Sequence, residues 1–168
     1  MKLKIILGDI TDSNCDAIVN AANKELICGS GVCGAIFKAA GHYDELQKEC
    51  FSKSPIKTGE AVITNGYNLK AKYIIHAAGP VYSSYSDTKA EELLEKTYIF
   101  TLEIAEKYNL KSIAFPSIST GVYGYPIDKA CKIALRAIKS FDYKSIDLVE
   151  IVCFDKNTYE IYLKNAQV

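Results

Sequence analysis

Two short stretches of the chain are built mostly from small residues, and both have the composition to hold an anion. The first is GSGVCG at 29–34, three glycines immediately before a helical pattern. Glycine lets a backbone approach a ligand closely, and the free amides at a helix start point outward at it. The second is SISTGVYG at 117–124, where Ser117, Ser119 and Thr120 supply hydroxyls while Gly121 and Gly124 permit the dihedrals of an anion-binding nest. Tyr123, set between those glycines and expected to be exposed, is a costly residue for a mere connector. Either loop alone has an ordinary explanation, as a glycine-hinged helix start or a tight turn. Two of them at strand ends of one small sheet predict a diphosphate lying between them.

Other polar residues stand at the same ends. Asn20 and Asn23 flank two alanines in VNAAN, and their amides can orient sugar hydroxyls without adding charge, or cap a turn. Asp9 suits the exocyclic amine of a base, or the cap of a turn beginning at Thr11. Phe154, after the last apolar run, suits either a stack on a base or the core. His76, inside YIIHAAGP, reads as a hydrogen-bonded core histidine, and His42 as an exposed one at a helix break. The two histidines support no Ser–His–Asp arrangement.

Whole-chain properties narrow the ligand class. Lys plus Arg (20) cancels Asp plus Glu (20), so no basic stripe for a nucleic-acid backbone is expected. Backbone amides can still hold a small phosphorylated ligand. The six cysteines form no C-x-x-C pair, which argues against zinc and leaves no metal or other cofactor expected. Cys131 and Cys153 fall in apolar patterns, as buried thiols do. The opening MKLKIILGD has no secretory leader, and the apolar runs are too short for a membrane span, so a reduced, cytoplasmic protein is expected.

The elements that must position these loops alternate between short apolar strands and helical segments. Strands are expected at 2–7, 17–20, 60–64, 73–77, 112–116 and 148–154. Helices are expected at 34–40, 43–51, 88–108, 128–140 and 157–165, the longest with Leu93, Leu94, Thr97, Tyr98, Thr101, Leu102 and Ala105 on one face. This order predicts one α/β domain over 1–168, with a mixed or parallel sheet covered on both faces. In such sheets ligands lie beyond the carboxyl ends of the strands, near a topological switch point. All four candidate strand ends are expected to open on one edge.

In order along nearly the whole chain, these segments resemble the macrodomain family, in particular its MacroD-type ADP-ribosyl hydrolase branch. The matching stretches are GDIT (8–11), DAIVNAAN (16–23), GSGVCGAIFKAAG (29–41), YIIHAAGPVY (73–82), FPSISTGVYGYP (115–126) and VCFD (152–155). The resemblance implies a three-layer α/β/α sandwich around a mixed six-stranded sheet. It implies ADP-ribose as ligand, free or attached to an acyl group or to a protein. Carried over, it places Asp9 and Ile10 at adenine with Phe154 near that base, and Asn20 and Asn23 at the distal ribose. Gly31, Val32 and Cys33 would form the first phosphate loop. Ser119, Thr120, Gly121, Val122, Tyr123 and Gly124 would form the second, with Tyr123 against the distal ribose.

The resemblance departs at two positions. MacroD-type hydrolases usually carry an acidic residue where this chain has Cys33, and a histidine where it has Phe37. An aspartate there can position the attacking water, whereas a thiol does so less well unless ionised. The implied activity is therefore ester hydrolysis of O-acetyl-ADP-ribose or ADP-ribosylated Asp or Glu, by a water held against a ligand phosphate. Asn23, Cys33 and Tyr123 are its candidate catalytic residues. A non-catalytic ADP-ribose-binding module and an ADP-ribose 1″-phosphate phosphatase are the competing readings.

Overall fold

The computed structural model describes residues 1–167. Six strands form the sheet: β1 (Lys2–Leu7), β2 (Ala17–Ala21), β3 (Ala61–Asn65), β4 (Tyr73–Ala77), β5 (Ser112–Phe115) and β6 (Leu148–Cys153). Their spatial order is β1-β6-β5-β2-β4-β3, with β3 antiparallel to β4 and every other pairing parallel. The sheet is thus mixed, as expected.

Five helices cover it: α1 (Gly31–Ala40), α2 (Tyr43–Phe51), α3 (Asp87–Lys107), α4 (Ile127–Ser140) and α5 (Lys156–Ala166). Strand alternation sends Ala17 and Val19 to one face and Ile18 to the other. The first face packs under α3, α4 and α5, through residues such as Leu94, Tyr98, Ala134 and Tyr162. The second packs under α1 and α2, through Ile36, Phe37, Leu46 and Cys50. The result is the three-layer α/β/α sandwich. Among the described residues, no helix is long and apolar enough to cross a membrane.

Side chains set the helix starts. Ser86 caps α3 by accepting from the Lys89 amide, and Asp155 caps α5 by accepting from the Thr158 amide at 2.8 Å. The buried face of α3 is the one read from its periodicity. α1 differs from expectation, because it begins at Gly31 rather than Gly34. Two of the cluster's three glycines therefore lie in the helix's first turn, where amides have no partner within the helix. Its N-cap, Ser30, makes no side-chain capping hydrogen bond.

Chain direction sets the switch point of the sheet. From β2 the chain runs by way of α1 and α2 to β3 and β4 on one side; from β5 it runs by way of α4 to β6 on the other. Neighbouring β2 and β5 are therefore the point where connections diverge, and sheets of this kind bind ligands beyond the carboxyl ends of such strands. The segments that follow those two strands are the two glycine-bearing loops.

Candidate functional site

The first loop is shaped by its own side chains. The Asn23 carboxamide closes a turn, with Nδ2 donating to the Ile27 carbonyl at 2.9 Å and Oδ1 accepting from the Ile27 amide at 3.0 Å. That leaves Asn23, half-buried, with one N–H and one lone pair free for a ligand. Beyond this turn, the Gly29 amide donates to Cys33 Sγ at 3.4 Å. Gly31 is exposed, with φ of 62° and no atom near the position of a Cβ, and Val32 is half-buried.

Cys33 does not face solvent. It is 5% exposed, and its sulfur accepts a second hydrogen bond from Asn20 Nδ2 at 3.4 Å. Asn20 is 1% exposed, because strand alternation turns position 20 under α1. The direct ribose contact expected of Asn20 does not follow from that position; its amide holds the loop from beneath.

The second loop is a compact turn. The Tyr125 amide donates to the Ser119 carbonyl at 2.9 Å, and the Gly124 amide to that of Gly121 at 3.0 Å. The Thr120 hydroxyl donates back to the Ser117 carbonyl at 3.0 Å. Ser119 has φ of 68° and Gly124 of 73°. Among the described residues, no acceptor faces the amides of Gly121, Val122 or Tyr123. Such a run of free N–H groups can bind a phosphate without a cationic side chain.

The buried Ser119 hydroxyl has no partner, and Gly79 lies directly against it. A Cβ at Gly79, two residues past β4, would come within 2.4 Å of that oxygen and 2.5 Å of an Ile118 methyl, so a glycine there lets this loop seat. Val122 at the loop tip is 91% exposed, whereas Tyr123 is half-buried rather than projecting freely. The Tyr123 phenol is raised above its ordinary range by burial, then by the neighbouring Glu25 and Cys33 of the first loop. It therefore stays a neutral hydroxyl.

One contributor could be suspected from sequence only as a border. Residues 82–84 form a 3-10 turn, and the Tyr82 amide donates to the Tyr123 carbonyl at 2.9 Å. The Tyr82 ring lies 4.7 Å from that of Tyr125. The loop after β4 thus buttresses the second loop. No pattern in VYSSYSDT announces this contact.

At the other end stand Asp9, Ile10 and Phe154. Asp9 is exposed and caps the turn at 10–12, accepting from the Thr11 amide at 2.9 Å and its hydroxyl at 2.7 Å. The carboxylate's remaining lone pairs are available to a donor. Ile10 is buried beneath that turn. Phe154 is 86% exposed, which disposes of its reading as a core aromatic. It follows the last residue of β6, whose neighbours β1 and β5 lead into Asp9 and the second loop. A groove of about 370 Å³ beside β1 and β6 is lined by Asp9 together with Ser13, Cys15 and Glu150, and there Glu150 accepts from Ser13 and Cys15.

The other titratable groups are structural. His76 is buried and held down to about 3 by burial, then by Lys53, so it is neutral. Burial pushes the thiols of Cys15 and Cys131 up to about 11 and those of Cys50 and Cys153 up to about 12. These four stay protonated, and all six cysteines are unpaired.

A family described as Macro domain matches residues 19–134, which include both loops, β5 and the end of β2. The chain belongs to the macro domain family. A macro domain-containing protein of Caldanaerobacter subterraneus subsp. tengcongensis is 48% identical over 97% of this macrodomain and 94% of its own length. An O-acetyl-ADP-ribose deacetylase of Salmonella newport is 44% identical over 97% of this chain and 93% of its own. The macrodomain of Oceanobacillus iheyensis with ADP superimposes with a TM-score of 0.91 at 43% identity, covering 98% of this chain and 90% of that one.

Proposed function

We propose that this macrodomain binds ADP-ribose across the crevice and hydrolyses the ester between its distal ribose and an acyl group. That group is acetate, as in O-acetyl-ADP-ribose, or an Asp or Glu side chain of a protein. The observation that carries the reading is the pair of amide-rich, uncharged loops that follow the neighbouring strands β2 and β5 at the switch point. The Oceanobacillus macrodomain with ADP supports the nucleotide ligand, and the Salmonella deacetylase supports the acetate ester.

In this reading the amides of Gly31, Val32, Gly121 and Val122, with Ser119, Thr120 and Gly124 shaping their loop, hold the diphosphate. Asp9 accepts from the adenine amine, Ile10 supports that turn, and the exposed Phe154 ring lies on the base. Asn23 spends its free N–H and lone pair on the distal ribose, and the neutral Tyr123 hydroxyl packs beside it. A water held by a ligand phosphate attacks the ester and releases ADP-ribose and a carboxylate. The site's contribution is placement and stabilisation of developing charge. Asn20 acts from below through Cys33.

One observation favours a second reading, a binding module without turnover. The Cys33 sulfur is turned inward to Gly29 and Asn20, which leaves the first loop no carboxylate or free thiol to handle the water. Incubation with O-acetyl-ADP-ribose and with a protein mono-ADP-ribosylated on glutamate separates the two readings. Release of ADP-ribose establishes the hydrolase. No release at stoichiometric protein, with binding by calorimetry, establishes the module.

A further inference from the structure

Three polar side chains cross the layer beneath α1 and α2, among Ile18, Ile36, Phe37, Ile74 and Ala78. They are Thr64 on β3, His76 on β4 and Asn20 on β2, all buried, and Asn20 and His76 are register partners. Buried polar groups in such a layer are costly unless bonded. Here they are bonded to one another in series.

The far end of the series decides which group donates. The Thr64 hydroxyl gives its proton to the Asn65 carbonyl at 3.2 Å, so its oxygen accepts from His76 Nε2–H at 2.9 Å. Nδ1 is then the acceptor of the ring, and it takes an N–H from Asn20 at 3.0 Å. The second N–H of that amide goes to Cys33 Sγ, and Asn20 Oδ1 has no partner. The other neighbours of the ring are Cys50 Sγ at 3.7 Å and the Phe37 ring at 6.3 Å.

With its oxygen unpartnered, the Asn20 amide is oriented by its N–H bonds alone. A flipped amide would set its oxygen against the lone pair of Nδ1. We propose that His76 is a positioning residue for the crevice. Its Nδ1 turns Asn20 so that an N–H reaches the Cys33 sulfur, and that sulfur in turn holds the Gly29 amide and the first phosphate loop. The inference rests on the ADP-ribose reading for what the loop binds, while the hydrogen-bond series stands without it.

Two substitutions separate the ring's two nitrogens. His76→Asn keeps an acceptor where Nδ1 stands, whereas His76→Gln keeps a polar group toward Thr64 and offers none to Asn20. His76→Gln is expected to weaken ADP-ribose binding by about three- to tenfold, the worth of one neutral hydrogen bond. It should also speed hydrogen exchange at the Gly29 amide. His76→Asn should stay within about twofold of wild type in both readouts even where its Tm falls as far, given that one acceptor is kept. Affinity that merely follows Tm across the two variants overturns the proposal, as does wild-type affinity in folded His76→Gln. If His76→Gln shows no cooperative melt, Asn20→Leu carries the test. It should show the same losses, and wild-type affinity and Gly29 protection there overturn the proposal equally. If the wild-type protein binds no ADP-ribose, the ligand reading fails, and Gly29 exchange in the same variants still decides the role of His76.

Discussion

Gly34→Ala isolates the geometry of the first loop from the stability of the helix that carries it. Gly34 lies inside α1, where alanine ordinarily stabilises by about 1 kcal/mol. Here, however, a Cβ would stand 2.8 Å from the Gly29 carbonyl oxygen, a backbone atom that has no rotamer to change. Restoring an ordinary contact of about 3.4 Å moves that carbonyl, and the amides beside it, by about 0.6 Å. Strain of this kind costs about 1–3 kcal/mol, partly offset by the helix gain. The net loss of about 0–2 kcal/mol corresponds to a Tm lower by no more than about 8 °C in a chain of this size. Binding should suffer more, since a preorganised site tolerates only about 0.5 Å of error. The expected loss in ADP-ribose affinity is at least about tenfold, or about 1.4 kcal/mol. Calorimetry gives the affinity, and a melting curve gives the stability. A Gly34→Ala protein with a raised Tm and an unchanged Kd would refute both the close approach and the role of this loop.

Further outcomes follow from other parts of the molecule. Asn23→Ala removes the side chain proposed to hold the distal ribose, and should lower the hydrolysis rate by at least about 10²-fold. Cys33→Ala should leave a measurable rate; retained activity in Asn23→Ala would sink the residue assignment. Phe154→Ala should weaken ADP-ribose binding about tenfold, the scale of one base–aromatic stack, while leaving Tm within about 1–2 °C because the ring is exposed. Glu106 accepts from the Lys144, Ser145 and Ile146 amides and the Ser145 hydroxyl. Burial works against its charge, but those four donors outweigh it and bring the carboxyl down to about 2. A depressed carboxylate stabilises the fold above its ordinary value of 4.5 and loses that contribution as pH falls toward 2. Glu106→Gln should therefore cost about 1–2 kcal/mol at pH 7, the lower end because the group is half-buried. Melting curves of wild type and variant should converge between pH 4.5 and 2; a constant gap would count against the clamp.

Much of the architecture was legible in the chain because its strands and helices differ in period and length. All six strands and five helices lie within a few residues of where apolar spacing puts them. The main displacement, the start of α1, has a local cause. Sequence periodicity begins at Ile36, whereas the helix begins where the backbone first turns, at Gly31. The glycines and hydroxyls of the two loops were equally plain, since few other residue types can expose runs of amides to an anion.

Orientation was not legible, because it depends on contacts between residues distant in the chain. Asn20 and Asn23 look alike in VNAAN, yet strand alternation buries the first under α1 while the turn to Ile27 leaves the second half-buried beside the crevice. Phe154 lies one residue past the end of β6, and that single position turns a plausible core aromatic into a ring that is 86% exposed. Cys33 stands out in sequence as a thiol at the start of a helix, inside a glycine cluster. Only the packing shows its sulfur turned inward to Asn20 and Gly29, because the donors that hold it come from a strand and a loop end. Local sequence, then, determined which residues could cradle a diphosphate. Tertiary structure decided which of them face the crevice, because burial and hydrogen-bond partners are set by strand order and helix packing.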